Sequence, residues 1–182
     1  MKSNAKKLSA FVLVLLLIIG LNYILHANET TLLNLNAYGY FGTFLACLLL
    51  NATVLLPSSS TAVVMSMATV YNPVIIAIVG ALGTTLGEFT GYFAGYYGSS
   101  FIEKNPIINK ILAVYNQFPK VAIVLFAALP LPLFDVLGIM AGSVKMNKRT
   151  FFILCLIGKG LKMLLYAYIG VYTYNQIQSI AN

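Results

Sequence analysis

The sequence predicts an all-α membrane protein with three crossing helices and two opposed re-entrant hairpins in an inverted repeat. One interfacial amphipathic helix completes it. Three observations lead there. Of 182 residues, 60% are hydrophobic and 8% charged, with mean hydropathy +0.89; a soluble domain carries about 25% charged residues. Two apolar runs are broken near their middles by proline, one at Pro57 and one at Pro130 and Pro132. A shift of 75 residues brings the two halves of the chain into register without a gap.

Lys2, Lys6 and Lys7 precede an apolar run from Leu8 to Leu25. No small-x-small cleavage site follows it, so an uncleaved first crossing helix is expected. Residues 27–37 hold Glu29 and no Lys or Arg, which suits the outer side. Residues 1–37 are therefore an anchor helix and outer loop. Tyr38 to Leu56 is apolar, then Pro57, Ser58, Ser59 and Ser60 interrupt it, and the return from Ala62 to Val70 is too short to cross. Non-helical backbone at depth is tolerated only inside protein or in a wet cavity, so Tyr38 to Tyr71 reads as a re-entrant hairpin.

Asn72-Pro73 starts the next helix, with proline in the first turn. That helix carries Gly83, Gly87, Gly91 and Gly95 at every fourth position and Glu88 beside them. Glycines so spaced make a face where another backbone can come close. Gly158 and Gly170 are the corresponding packing positions of the second half. Asn105-Pro106 opens an amphipathic stretch over 105–118 that fits the membrane surface. Val121 to Val144, interrupted at Pro130 and Pro132, repeats the hairpin pattern, and Thr150 to Tyr174 is the last crossing. The membrane domain thus covers 38–174, with a first repeat over 38–98 and a second over 119–174; residues 175–182 form a tail.

The net charge of +7 comes from eleven Lys and Arg against four acids. Nucleic acid is not the implied partner, because the bases sit in short loops between apolar runs. With both proline-tipped segments re-entrant, all nine bases outside the embedded pair fall on one side, as the positive-inside rule requires. That topology puts the N-terminus in the cytoplasm and the C-terminus outside. Cys47 and Cys155 lie in apolar runs and read as small buried hydrophobes, and His26 stands alone. No metal site, no cofactor and no HExxH, Ser-Lys or Asp-Asp constellation is visible, so an enzyme is not expected.

In the 75-residue register Pro57 meets Pro132, Asn72 meets Asn147, Gly83 meets Gly158 and Gly95 meets Gly170. One crossing separates the two units, which inverts the second. Broken helices meeting at mid-membrane in inverted repeats are the architecture of many secondary transporters. Four charges remain at depth: Glu88, Asp135, Lys159 and Lys162. A charge there costs roughly 3 kcal/mol on insertion scales, and two acids with two bases make a neutral set. Because Gly87 meets Lys162 in the register, Lys162 is the expected partner of Glu88. These charges either hold helices together or line a polar path. Ser58 to Ser60 similarly either cap a half-helix or present hydroxyls and free N–H groups to an anion.

Taken in order, Pro57 with its apolar return, Asn72-Pro73, GALGTTLGEFTGYFAGYYG (Gly80 to Gly98), PLPLFDVLGIMAG (Pro130 to Gly142), KMNKRTFF (Lys145 to Phe152) and GKGLK (Gly158 to Lys162) resemble the DedA family and its VTT domain. The family includes SNARE-associated Golgi-type and vacuole membrane proteins. The resemblance covers about Tyr38 to Tyr174. Many bacterial members have arginines around the second-hairpin proline, where this chain has Ala127, Ala128 and Leu133. It implies a flippase or scramblase of anionic phospholipid or polyisoprenyl phosphate in a prokaryotic plasma membrane, with membrane lipids as partners. Glu88 and Asp135 would be proton-responsive acids in proton or cation coupling. Lys159 and Lys162 would contact phosphate or pair with the acids. The alternative is a non-transporting scaffold for membrane homeostasis, protein assembly or division. Either is compatible with a homo-oligomer.

Overall fold

The computed structural model describes residues 39–52, 59–98, 117–129 and 133–181; of Ser59, Ala181 and residues 133–137 it describes the backbone alone. The first crossing helix and outer loop (1–37), the tip residues Pro57, Ser58, Pro130 and Pro132, and all of the 105–118 surface helix but its last two residues lie outside the described residues.

Every described element is an α-helix: α1 (Gly39–Ala52), α2 (Ser59–Ala68), α3 (Pro73–Gly87), α4 (Phe89–Gly98), α5 (Pro119–Ala128), α6 (Leu133–Ser143) and α7 (Lys148–Ala181). Among the described residues, two spans are long and apolar enough to cross a bilayer, Pro73–Gly98 and Lys148–Ile180. With 14 and 10 residues, α1 and α5 reach about 21 and 15 Å, short of the roughly 30 Å of hydrocarbon.

The helix starts have local causes. Asn72 Oδ1 accepts from the N–H groups of Val74 (3.0 Å) and Ile75 (3.3 Å), while Pro73 takes the first-turn position. Asn147 Oδ1 does the same for Arg149 (2.9 Å) and Thr150 (3.4 Å) at the head of α7. At the end of α6, Met146 N–H bonds Ala141 C=O and Lys145 N–H bonds Gly142 C=O, a Schellman closure. It puts Lys145 at φ 56°, a left-handed conformation that favours glycine. No Gly or Pro follows Tyr174, and α7 runs on to Ala181.

Close approaches fix the helix directions. Gly83 faces Phe44 O and Cys47 of α1, and Gly87 faces Leu48 O, Asn51 and Ala52. Helix α1 therefore runs parallel to α3, and α2 must return to the end where α1 began. There Gly39 sits under the Tyr71 ring, and the Tyr40 hydroxyl accepts from Asn72 N–H. In the other half Gly158 of α7 faces Val124 O and Ala127 of α5. The two long helices are antiparallel: Phe151 packs on Phe89 and Tyr92, while Met163 and Ala167 share a core with Ile76, Ala77 and Ala81.

Each short return helix packs on the long helix of the other half. Helix α2 lies on α7, where Gly170 meets the backbone of Met65. Helix α6 lies on α4, where Gly95 meets the backbone of Ile139 and Gly142 that of Tyr92 and Tyr96. The glycine stripe serves both contacts because of its period. Steps of four residues drift by about 40° each on a 3.6-residue helix. Gly83 and Gly87 thus face α1, while Gly95, about 120° further round than Gly83, faces α6. Gly91 between them is buried.

Among the described residues, two apolar clusters result. One gathers Cys47, Val64, Ile76, Ala81 and Met163; the other gathers Tyr92, Ile123, Met140, Phe151 and Cys155. Both cysteines are free and fully buried among apolar side chains.

Candidate functional site

Between the two clusters the chain buries a polar chain of contacts. Glu88 and Lys159 are each 3% exposed. Lys159 Nζ lies 2.5 Å from Glu88 Oε1 and also donates to Thr84 O at 3.2 Å. Asn51, in the last turn of α1, donates its Nδ2 to the same Glu88 Oε1 at 2.6 Å. Ser60, in the first turn of α2, donates to Asn51 Oδ1 at 3.1 Å. The first hairpin thus reaches the ion pair through an amide and a hydroxyl. The other carboxylate oxygen, Oε2, faces Gly138 of α6, where a built Cβ would sit 3.4 Å away.

The backbone is adapted to this site. Pro73–Gly98 is interrupted at one residue, Glu88, yet helical hydrogen bonds continue across it: Glu88 N–H to Thr84 O and Tyr92 N–H to Glu88 O. Thr84 O therefore accepts both a helix bond and the Lys159 ammonium. Thr84 Oγ1 is satisfied by Gly80 O (2.9 Å) and Ala81 O (3.1 Å). Thr90 Oγ1 bonds Ala52 O and Gly87 O, tying the end of α1 to the interruption. Among the described residues, Thr85 Oγ1 is a buried side-chain polar atom without a hydrogen-bond partner.

Glu88 takes Lys159, not the expected Lys162. Depth in an antiparallel pair explains the correction. Moving along α7 from Phe151 to Ala167, the facing residues on α3–α4 run backwards, from Tyr92 to Ala77. Two positions 75 apart on such helices lie at mirror-image depths, and they coincide only near the crossing point. Thr84 and Lys159 are such a pair, and they touch. Lys162 is one turn further along α7 and half-buried. Lys159 does not reach for the surface, as a lysine about three turns into a helix can; it is turned inward.

Of the other expected residues, Ser60 is 7% exposed and belongs to the network. Asp135 falls by its backbone in the first turn of α6, three residues before Gly138; its side chain lies outside the described residues. Asn51 was not singled out from the sequence, although it is the only amide between Tyr38 and Tyr71. A lone amide in an apolar run is the signal that marks it, since a buried amide needs partners. No group of three or more His, Cys, Asp or Glu capable of holding a metal occurs among the described residues.

Chemically, the site is a desolvated carboxylate–ammonium pair in which one oxygen accepts two donors. Such a pair holds only while both partners are charged, because an uncompensated buried charge costs several kcal/mol. A family model described as the VTT domain matches residues 56–172. That span takes in Ser60, Glu88, Asp135, Lys159 and Lys162. Neither a curated protein nor a solved structure matches the chain.

Proposed function

The chain belongs to the DedA/VTT family of membrane proteins, and on that premise we propose that it is a lipid transporter. Its substrate class is an anionic phospholipid or polyisoprenyl phosphate, moved as by a flippase or scramblase. One observation carries the reading: Glu88 and Lys159 form a buried ion pair where the first hairpin, both long helices and α6 converge. A phosphate arriving there would compete with Glu88 for the Lys159 ammonium. Protonation of Glu88 would release that ammonium, which couples transport to a proton. In this scheme Asp135 is a second proton-responsive acid and Lys162 a second phosphate contact.

The membrane arrangement is part of the proposal. Helices α1–α2 and α5–α6 are re-entrant hairpins entering from opposite faces, and the two halves form an inverted repeat. The exchange of return helices supports this: Gly95 meets Ile139 as Gly170 meets Met65. Equivalent Asn72 and Asn147 caps add to it. The site is a prokaryotic plasma membrane, with a cytoplasmic N-terminus and an outer C-terminus, and the protein acts without enzymatic chemistry.

The test is lipid translocation by the purified chain in liposomes at several pH values. Glu88→Gln keeps the shape and the Asn51 contact but cannot carry the charge. Losing one charge of a buried pair also costs stability, so the variant is compared at equal amounts of folded, monodisperse protein, where it should abolish movement; full movement by that variant would sink the transport role. A second reading, a non-transporting scaffold for membrane homeostasis, protein assembly or division, is favoured by the saturation of Glu88 Oε1 by two donors, as a structural lock would have it. It requires that the native chain move no lipid in the same vesicles.

A further inference from the structure

A second feature lies outside the ion pair. Between α3–α4 and the head of α7 a cavity of about 420 Å³ opens to the surface, lined by Leu86, Phe89, Lys148, Arg149, Phe152 and Ile153. Its size is that of a small-molecule site, which runs from about 300 to 1,000 Å³. The walls are apolar: the Phe89 and Phe152 rings lie tilted with centroids 6.2 Å apart, and Leu86 and Ile153 are 41% and 54% exposed. The charge at its rim has one sign. Lys148 and Arg149 are both exposed, and Lys148 Nζ sits 5.0 Å over the Phe93 ring, across from its own helix.

Two cations in the first turn of α7 stand against the helix dipole, whose positive end is there. No acid shares that turn. An anion at the rim would offset both the dipole and the cations. The apolar floor adds a requirement that a free phosphate does not meet, since the anion must bring hydrocarbon with it. From the groove, Ile157, Leu161 and Leu165 continue Ile153 outward-facing at four-residue steps, each at least 50% exposed. That is a track for an acyl chain. Leu86 and Glu88 are two residues apart, about 200° around the helix, so the groove and the ion pair lie on different faces.

We propose that this groove is a binding site for an anionic phospholipid of the adjoining leaflet. Lys148 and Arg149 hold the phosphate, Phe89 and Phe152 the glycerol and upper acyl chain. Basic pockets between membrane helices are suited to such head groups. The inference rests on the chain lying in a membrane, not on transport through the Glu88–Lys159 pair.

The chain has no tryptophan, so Phe152→Trp places a single emitter in the groove. The full chain with this change is reconstituted in phosphatidylcholine vesicles containing either brominated phosphatidylglycerol or brominated phosphatidylcholine in the same proportion. The expected result is a preference for quenching by the anionic lipid on the order of tenfold. The preference should fall to near unity in Phe152→Trp with Lys148→Gln and Arg149→Gln. A second emitter, Leu86→Trp with Lys148 and Arg149 retained, should show the same preference. Equal quenching by the two lipids, or a preference that survives loss of both cations, would overturn the proposal. Because the readout is equilibrium binding, either outcome leaves the result of the Glu88→Gln translocation assay standing by itself.

Discussion

Asn51 Nδ2 and Lys159 Nζ converge on one oxygen of Glu88, at 2.6 and 2.5 Å. The amide comes from the first hairpin and the ammonium from the last helix, so this carboxylate joins the two halves of the molecule.

Removing one charge of the pair should be worse than removing both. Lys159→Ala leaves the buried carboxylate without its ammonium and Glu88→Ala leaves the buried ammonium without that carboxylate, each a loss of about 3–5 kcal/mol. The double change to two methionines should recover much of it. Thermal unfolding in detergent, followed by the monodisperse fraction, measures the three variants against the native chain. A double variant as unstable as the singles would contradict the pairing.

The hydrogen bonds of the first hairpin should rank by charge. Asn51→Ala loses a bond to a carboxylate, about 1.5–3 kcal/mol. Ser60→Ala loses a neutral one, about 0.5–1.5 kcal/mol. The same melting measurement, with Ser60→Ala the milder of the two, checks the order of the chain Ser60–Asn51–Glu88.

Gly158 and Gly160 should respond oppositely to alanine. A Cβ on Gly158 would meet Ala127 at 2.5 Å and Val124 O at 2.6 Å, whereas one on Gly160 meets nothing within 4 Å. Gly158→Ala must push α5 outward, at about 1–3 kcal/mol. Gly160→Ala should be neutral or gain up to about 1 kcal/mol in helix propensity. Equal melting temperatures for the pair would contradict the packing.

Thr85→Val removes a buried hydroxyl that has no partner among the described residues and keeps the shape. It should stabilise the fold by about 1–3 kcal/mol. Thr84→Val, which deletes bonds to Gly80 O and Ala81 O, should not. If Thr85→Val lowers the melting temperature, the hydroxyl has a partner in the membrane.

Cysteine labelling checks the topology. Native Cys47 and Cys155 are buried, so background should be low. Asn147→Cys and Gln178→Cys are at exposed positions. The first should react from the cytoplasmic side only and the second from outside only.

The sequence is a good guide to this fold where the physics is local. Asn72-Pro73 and Asn147 announce helix starts because a cap needs nothing beyond its own turn. The glycine spacing announces close packing, but not that its two ends face different helices; that follows from the 40° drift and from where α6 lies. The buried charges are visible as charges. Their pairing is not, because a linear register compares positions and says nothing of direction across the membrane. Lys162 was expected for that reason, and Lys159 holds the place. Asn51 was overlooked because an amide carries no charge to stand out in an apolar run, although burial makes it as demanding of partners as a charge.

The exchange of return helices has a consequence for synthesis. Met65 waits for Gly170, which follows it by 105 residues. At about 5–20 residues per second, the ribosome delivers that partner roughly 5–20 s later. Until then α2 has α1 and α3 beside it but not its third neighbour, α7, and the first half is an unfinished object in the translocon. The two halves expressed as separate chains should therefore be short-lived apart and rescue one another together.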